Sequence, residues 1–218
     1  MIMILVPAHN EAKTIENVVK QLLFVGDKVV VIDDGSTDDT ALLAGNAGAT
    51  VLRHTLNRGQ GAALETGHTY ARQSNADFVV HFDADGQFDF RDIPRALASM
   101  KEKNVDIILG SRFLGKEQKI PWLKRAVILP FARNIDRLFG SVSLSDAHNG
   151  FRVMNQRALN FIQLTQDRMA HATEIPQLIR RYNLRYAELP ISVSYHEFGQ
   201  GPIGGFRIVR DLLVGKFM

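Results

Sequence analysis

The sequence predicts an α/β fold with a mainly parallel central sheet flanked by helices. Three observations carry that expectation. Short apolar runs alternate with helical patterns through the first half of the chain. The runs at 1–6, 28–32 and 78–82 are apolar at nearly every position, as strands buried on both faces are. The chain past these runs carries acidic or amide clusters, Asn10-Glu11, Asp33-Asp34 and Asp83-Ala84-Asp85. In a parallel α/β sheet, ligands sit at the carboxyl ends of the strands, so three such clusters converge on one crevice.

Taken in order, residues 1–6 form the first strand. Ile15, Val18, Val19, Leu22 and Leu23 then keep the i, i+3, i+4, i+7, i+8 spacing of an amphipathic helix. A second strand spans 28–32, and Ser36 or Thr37 can cap a helix over 40–47. A third strand spans 50–53, and a helix over 60–73 opens at Gly59 and Gly61. After the strand at 78–82 come a helix over 92–103 and a strand at 106–109. Beyond residue 110 the pattern loosens. It predicts a helix over 122–139 that Pro130 kinks, a strand within 146–153 and a helix over 174–182. Strands near 185–189 and 191–195 follow, then a Gly-rich turn at 199–205. A last amphipathic helix runs over 203–218. With no linker in view, residues 1–218 read as one domain: a nucleotide-sugar half at 1–112 and an acceptor-side half at 113–202 before that helix.

The 218 residues include no cysteine, which excludes thiol nucleophiles, Cys zinc sites and iron–sulfur clusters. A hydrophobic share of 45% against 22% charged residues excludes a disordered chain. No apolar stretch reaches the roughly 18 residues that span a bilayer, and the hydrophobic start lacks a basic n-region. The expectation is a cytoplasmic protein, peripheral to a membrane at most. No pattern reads as a nucleic-acid-binding module. Residues 112–137 hold seven basic and two acidic side chains, a local charge of +5. That segment is either a solvated helical face or a surface for an anionic partner such as a phosphate. Histidines 54, 68, 148 and 171 lack paired metal-ligand spacing and read as structural or surface residues.

Two carboxylates one residue apart, just past a buried strand, suit a hard divalent cation that is completed by phosphate oxygens and water. Asp83 and Asp85 fit that description; a turn capped by its own Asp side chains is the plainer alternative. The stretch Asp33–Asp38 opens a helix. Its carboxylates can accept from a ribose hydroxyl or a base N–H, or they can simply cap. Asn57-Arg58-Gly59-Gln60-Gly61 is glycine-rich but lacks the Gly-Lys-Ser/Thr ending of an NTPase loop.

Val6-Pro7-Ala8-His9-Asn10-Glu11, Asp33 to Asp38, Asn57 to Ala62, Asp83 to Gln87, Gly110-Ser111-Arg112-Phe113 and Gly150-Phe151-Arg152 occur in this order. Together they resemble the family 2 glycosyltransferases of GT-A fold, within them the dolichol- or polyprenol-phosphate mannosyl- and glucosyltransferase branch. The resemblance covers about residues 1–195. It implies an inverting, metal-dependent transfer of a sugar from a UDP- or GDP-linked donor to a polyprenyl phosphate. It places Pro7, His9, Glu11, Ile32, Asp34, Asp83 and Ala84 around the nucleotide sugar. Asp83, Asp85 and Gln87 would hold Mg²⁺ or Mn²⁺. Arg112, Arg125 and Arg152 would face the acceptor phosphate, and Asp85, Glu174 and Arg112 are the candidate catalytic residues. A sugar-hydroxyl acceptor would need a general base, for which Glu174 is the first candidate and Asp146 the second. The competing functions are extension of a glycan, a nucleotidyltransferase and a non-catalytic scaffold. The sequence departs from the family's habit at His9, where Tyr is usual, and at Gly86, where Leu is common.

Overall fold

The computed structural model describes residues 1–114, 142 and 144–194. The 122–139 helix, Arg125 and the 203–218 helix lie outside the described residues. In chain order the elements are β1 (Ile2–Ala8), α1 (Ile15–Leu22), β2 (Lys28–Asp33), α2 (Thr40–Asn46), β3 (Thr50–Arg53), α3 (Gln60–Gln73) and β4 (Phe78–His81). They continue as α4 (Asp92–Lys103), β5 (Ile107–Ser111), β6 (Arg152–Asn155), α5 (Gln156–Phe161), α6 (His171–Arg181) and β7 (Tyr186–Pro190). The seven strands form one sheet in the order β3-β2-β1-β4-β6-β5-β7.

β1 sits inside the sheet because both its faces are apolar. Met3 and Leu5 pack with α3, α5 and α6 on one side. Ile4, Val6 and Ala8 pack with α1, α2 and α4 on the other. This period-two split puts a helix layer on each face of the sheet. The chain first winds outward, from β1 to β2 to β3, all parallel. It then crosses over α3 and places β4 on the other side of β1, again parallel. The carboxyl ends of β1 and β4 therefore flank a topological switch point, where such sheets open a crevice. β4 accompanies β1 only as far as Leu5, so Pro7, with no N–H to give, lies where β1 pairs with β2 alone.

Several elements differ from their sequence expectation. β6 runs antiparallel to both β4 and β5; Arg-Val-Met-Asn is too short to signal a direction. The strand expected at 191–195 reduces, within the described residues, to a bridge between Phe88 and Val193. α5, only six residues long, carries too little periodicity to be seen in sequence. Neither Ser36 nor Thr37 caps α2: Asp39 stands at the N-cap without a side-chain bond, and Asp38, one residue earlier, takes the first helical N–H. Asp38 Oδ1 accepts from the Thr40 N–H, 3.0 Å away, while Ser36 Oγ accepts from the Asn10 N–H at 2.9 Å.

Candidate active site

A cleft of about 320 Å³ opens at the switch point. β1 and the turn after it contribute Pro7, His9 and Glu11; the end of β2 contributes Asp34. The turn before α3 contributes Asn57, Gly59 and Gln60, and the end of β4 contributes Asp83, Ala84 and Asp85. Seven of the candidate donor- and metal-binding residues, Pro7, His9, Glu11, Asp34, Asp83, Ala84 and Asp85, thus share one cavity.

Asp83 sits at its centre. Gln60 Nε2 donates to Asp83 Oδ1 at 3.1 Å. The other oxygen lies over the backbone of Gly150, where an added Cβ would stand 2.3 Å from Asp83 Oδ2. Only glycine lets the carboxylate approach so closely. Burial, and then the negative charge of Asp85, push the Asp83 carboxyl up to about 6; Arg152, Gln60 and Arg112 pull against that shift. Glu11 is raised as well, by burial first and by Asp85 and Asp38 after it. Glu11, Asp83 and Asp85 therefore form an acidic pocket whose members repel one another. Asp85 is braced by the Gln87 N–H, 2.9 Å from Oδ1. Gln87 enters the site through its backbone, its carbonyl accepting from Ser194 N–H at 2.9 Å.

Asp34 is buried, and its carboxylate is taken up internally. Oδ1 accepts from Arg58 N–H at 2.9 Å and from His54 Nδ1 at 2.7 Å; Oδ2 accepts from Gly59 N–H at 2.6 Å. The side chain expected to hold a ribose lines the cleft and also fixes the turn that walls it. Its backbone carbonyl accepts from His9 Nδ1 at 2.9 Å. The Nδ1–H tautomer leaves Nε2 to accept from Asn10 Nδ2 at 3.2 Å. Ile32 is fully buried, and its Cδ1 packs where a side chain on Gly67 would stand. It is a core residue, because the β2 alternation turns it toward α3 and not into the cleft.

On the acceptor side, Arg112 Nε and Nη2 form a two-pronged ion pair with Asp146 at 2.8 and 2.9 Å, and its N–H adds a third bond at 3.1 Å. Burial alone would raise the Asp146 carboxyl; the bonds and charge of Arg112 outweigh it and hold it below its ordinary value. Arg152 is 2% exposed, with Nη1 unpartnered among the described residues. Burial lowers its pKa to about 10 against the pull of Asp83 and Asp146. It lies behind the site, not on an open surface. Glu174 stands apart from the cleft. Its two oxygens accept from Thr165 N–H, Thr165 Oγ1 and Gln166 N–H at 2.6–3.1 Å.

The glycine-rich entry to α3 is packed against a distant segment of the chain. Its first-turn Ala62 N–H donates to the Asp167 carbonyl at 2.9 Å, so the 164–168 segment takes a donor that sequence alone would offer to a phosphate. Of the histidines, His54 braces Asp34 and His68 Nε2 lies 2.7 Å from His81 Nε2 in the core. His171 Nδ1 donates to the Arg168 carbonyl at 2.7 Å, and His148 is exposed. Sequence reasoning missed the link from Gln60 to Asp83 and the contact at Gly150. Both join residues far apart in the chain, and no local pattern announces them.

A doubly wound sheet with an acidic cleft at its switch point is the arrangement in which α/β proteins hold their ligands. The chain belongs to glycosyl transferase family 2, whose model matches residues 3–162. It is 28% identical over 242 residues to UDP-N-acetylglucosamine–dolichyl-phosphate N-acetylglucosaminyltransferase of Methanococcus voltae, covering 99% of this chain and 96% of that one. Polyprenol monophosphomannose synthase of Mycolicibacterium smegmatis is 26% identical, over 94% and 82% of the two chains. The fold matches a crystal structure of glucosyl-3-phosphoglycerate synthase from Mycobacterium tuberculosis, in complex with Mn²⁺, uridine-diphosphate-glucose and phosphoglyceric acid. The TM-score is 0.71 at 17% identity, covering 98% of this chain and 77% of that one. The chain is a glycosyltransferase with a GT-A-like sheet.

Proposed function

We propose that this glycosyltransferase moves a sugar from a nucleoside-diphosphate sugar to a polyprenyl phosphate, with inversion at the anomeric carbon. The observation that carries the choice of acceptor is the state of the two acceptor-side carboxylates. A sugar hydroxyl needs a carboxylate free to take its proton, but Arg112 occupies both oxygens of Asp146 and lowers its proton affinity, and Glu174 is spent on the 165–166 backbone. A phosphate monoester has its second pKa near about 6, so at neutral pH it is already an anion and asks only for cationic positioning. Arg112, oriented by Asp146, supplies that charge close enough to Asp83 to influence its pKa. The names of the Methanococcus and Mycolicibacterium relatives support the same acceptor class.

The donor would lie along the cleft, its base and ribose toward Pro7, His9 and the 57–59 turn, its diphosphate toward Asp83 and Asp85. The donor set there is hard oxygen, and the mutual repulsion of Glu11, Asp83 and Asp85 fits a divalent cation. Asp83 and Asp85 would hold Mg²⁺ or Mn²⁺, with diphosphate oxygens and water completing the shell. When bound, the cation supplies neutralisation of the departing diphosphate. Gln60 and Gly150 hold Asp83 in position, and the Gln87 N–H holds Asp85. No helix among the described residues is long and apolar enough to cross a membrane. A polyprenyl phosphate is held in a bilayer by its chain, so its headgroup would be met at the bilayer surface.

The test is product analysis. Purified protein with Mn²⁺, a panel of UDP- and GDP-sugars and a short-chain polyprenyl phosphate should release nucleoside diphosphate and form a glycosyl phospholipid. Transfer to sugar hydroxyls alone would establish glycan extension instead, and release of pyrophosphate would establish a nucleotidyltransferase.

A further inference from the structure

Glu174 stands outside the cleft, yet it is bonded into a continuous chain that ends at Asp83. Its carboxylate holds the Thr165 N–H and hydroxyl and the Gln166 N–H. Glu65, on α3, holds the preceding Leu164 N–H at 2.7 Å. His171 holds the following Arg168 carbonyl. The 164–168 segment is thus fastened along its length by three side chains. It lies directly on the entry to α3. The Asp167 carbonyl accepts from Ala62 N–H. A Cβ on Gly61 would stand 1.9 Å from the Gln166 carbonyl oxygen, and one on Gly59 2.8 Å from that of Asp167. From the opposite side, Asp34 grips the Arg58 and Gly59 N–H groups. The 57–61 turn is therefore clamped between Asp34 and the 164–168 segment, and the next side chain, Gln60, reaches Asp83.

We propose that Glu174 is a positioning residue for the donor site: by fixing the 164–168 segment it clamps the 57–61 turn and aims Gln60 at Asp83. The inference rests on the reading of the cleft as a nucleoside-diphosphate site. It assigns Glu174 to donor binding and not to proton transfer from an acceptor. The clamp also accounts for the two glycines: either side chain would push the segment off the helix.

The experiment measures nucleotide binding without any acceptor. The full-length protein is titrated calorimetrically with UDP and with GDP in the presence of Mn²⁺. Glu174→Gln keeps the shape of the side chain but turns one acceptor into a donor facing N–H groups. For whichever nucleotide the wild type binds, Kd should rise about tenfold, the factor expected for one lost charge-assisted hydrogen bond. In turnover with lipid phosphate, the donor KM should rise by a similar factor while kcat at saturating donor stays within about threefold. Gly61→Ala, which displaces the segment with Glu174 intact, should give the same phenotype. The double variant should be no worse than the more impaired single variant, because both act through one clamp. If Glu174→Gln does not fold, Thr165→Val removes one hydroxyl bond to Glu174 and should raise Kd about threefold. Unchanged nucleotide Kd with collapsed kcat would overturn the proposal in favour of a reacting carboxylate. Fully additive losses in the double variant would also overturn it. Wild-type protein that binds neither nucleotide would overturn the reading of the cleft itself, and this inference with it.

Discussion

At the scale of single residues, Asp83 is a carboxylate kept where the fold alone would not want it. Its folded-state pKa of about 6 lies above the ordinary value of 3.8. Such a group destabilises the folded, metal-free chain once it ionises. The penalty is absent below about pH 4, grows between pH 4 and 6, and is complete above 6. Asp83→Asn should therefore abolish turnover yet stabilise the metal-free protein at pH 8, by about 1–2 kcal/mol after allowance for its solvent contact. Thermal melts should show the gain at pH 8 and none at pH 4; equal melting shifts at both would refute this account. Gly150 makes the complementary case. Gly150→Ala places a methyl 2.3 Å from Asp83 Oδ2, so the carboxylate must move. A displacement near 1 Å at a reacting centre costs on the order of a hundredfold in rate, and kcat is expected to fall by that much. The Asp-x-Asp pair was readable from its place after an apolar run. The Gly150 requirement was not, because it arises from residues 67 positions apart in sequence.

At the scale of elements, the helices that face solvent on one side announced themselves. Ile15, Val18, Val19 and Leu22 are all buried, as their spacing required, while Leu23, expected on the same stripe, stands just past the helix and is exposed. Caps were harder to read, because Ser36, Thr37 and Asp38 all have suitable side chains and tertiary partners choose among them. Ser36 is claimed by the Asn10 N–H and Thr37 N–H donates to Asn10, leaving Asp38 for α2. Asp38 also accepts from Ala12 N–H at 3.1 Å, so one carboxylate joins the turns after β1 and β2. Asp38→Ala should cost about 1 kcal/mol, the usual value of a lost cap, and lower Tm by about 2–4 °C. Its donor KM should rise as well, since the turn after β1 carries His9 and Glu11. A melting shift without any change in donor KM would show that the cap serves α2 alone.

At the scale of the whole molecule, the order in which the chain winds decides where chemistry can occur. Crossing from β3 over α3 to β4 opens the sheet between the ends of β1 and β4, and the clusters after β1, β2 and β4 all reach the cleft there. Removal of divalent cations should therefore disable donor binding before it affects the fold. Dialysis against EDTA is expected to weaken nucleoside-diphosphate binding by more than about tenfold, with Tm of the free protein unchanged or slightly changed and full recovery on adding Mn²⁺. Undiminished nucleotide affinity after chelation would remove the cation from the donor site.

The sequence by itself determined the sheet, its buried strands and the acidic clusters that follow them, because strand burial and helix amphipathicity are periodic and local. It also set the order of the six motifs. The tertiary structure alone decided where each candidate side chain is placed and what it contacts. Asp34 went to the 57–59 turn, Ile32 to the core, Arg112 to Asp146 and Glu174 to the 164–168 segment. Hydrogen-bonding capacity is written in the residue type, but the partner that satisfies it is chosen only when distant segments meet. A buried carboxylate takes the nearest donors that the fold presents, and these come from parts of the chain that no local pattern connects to it.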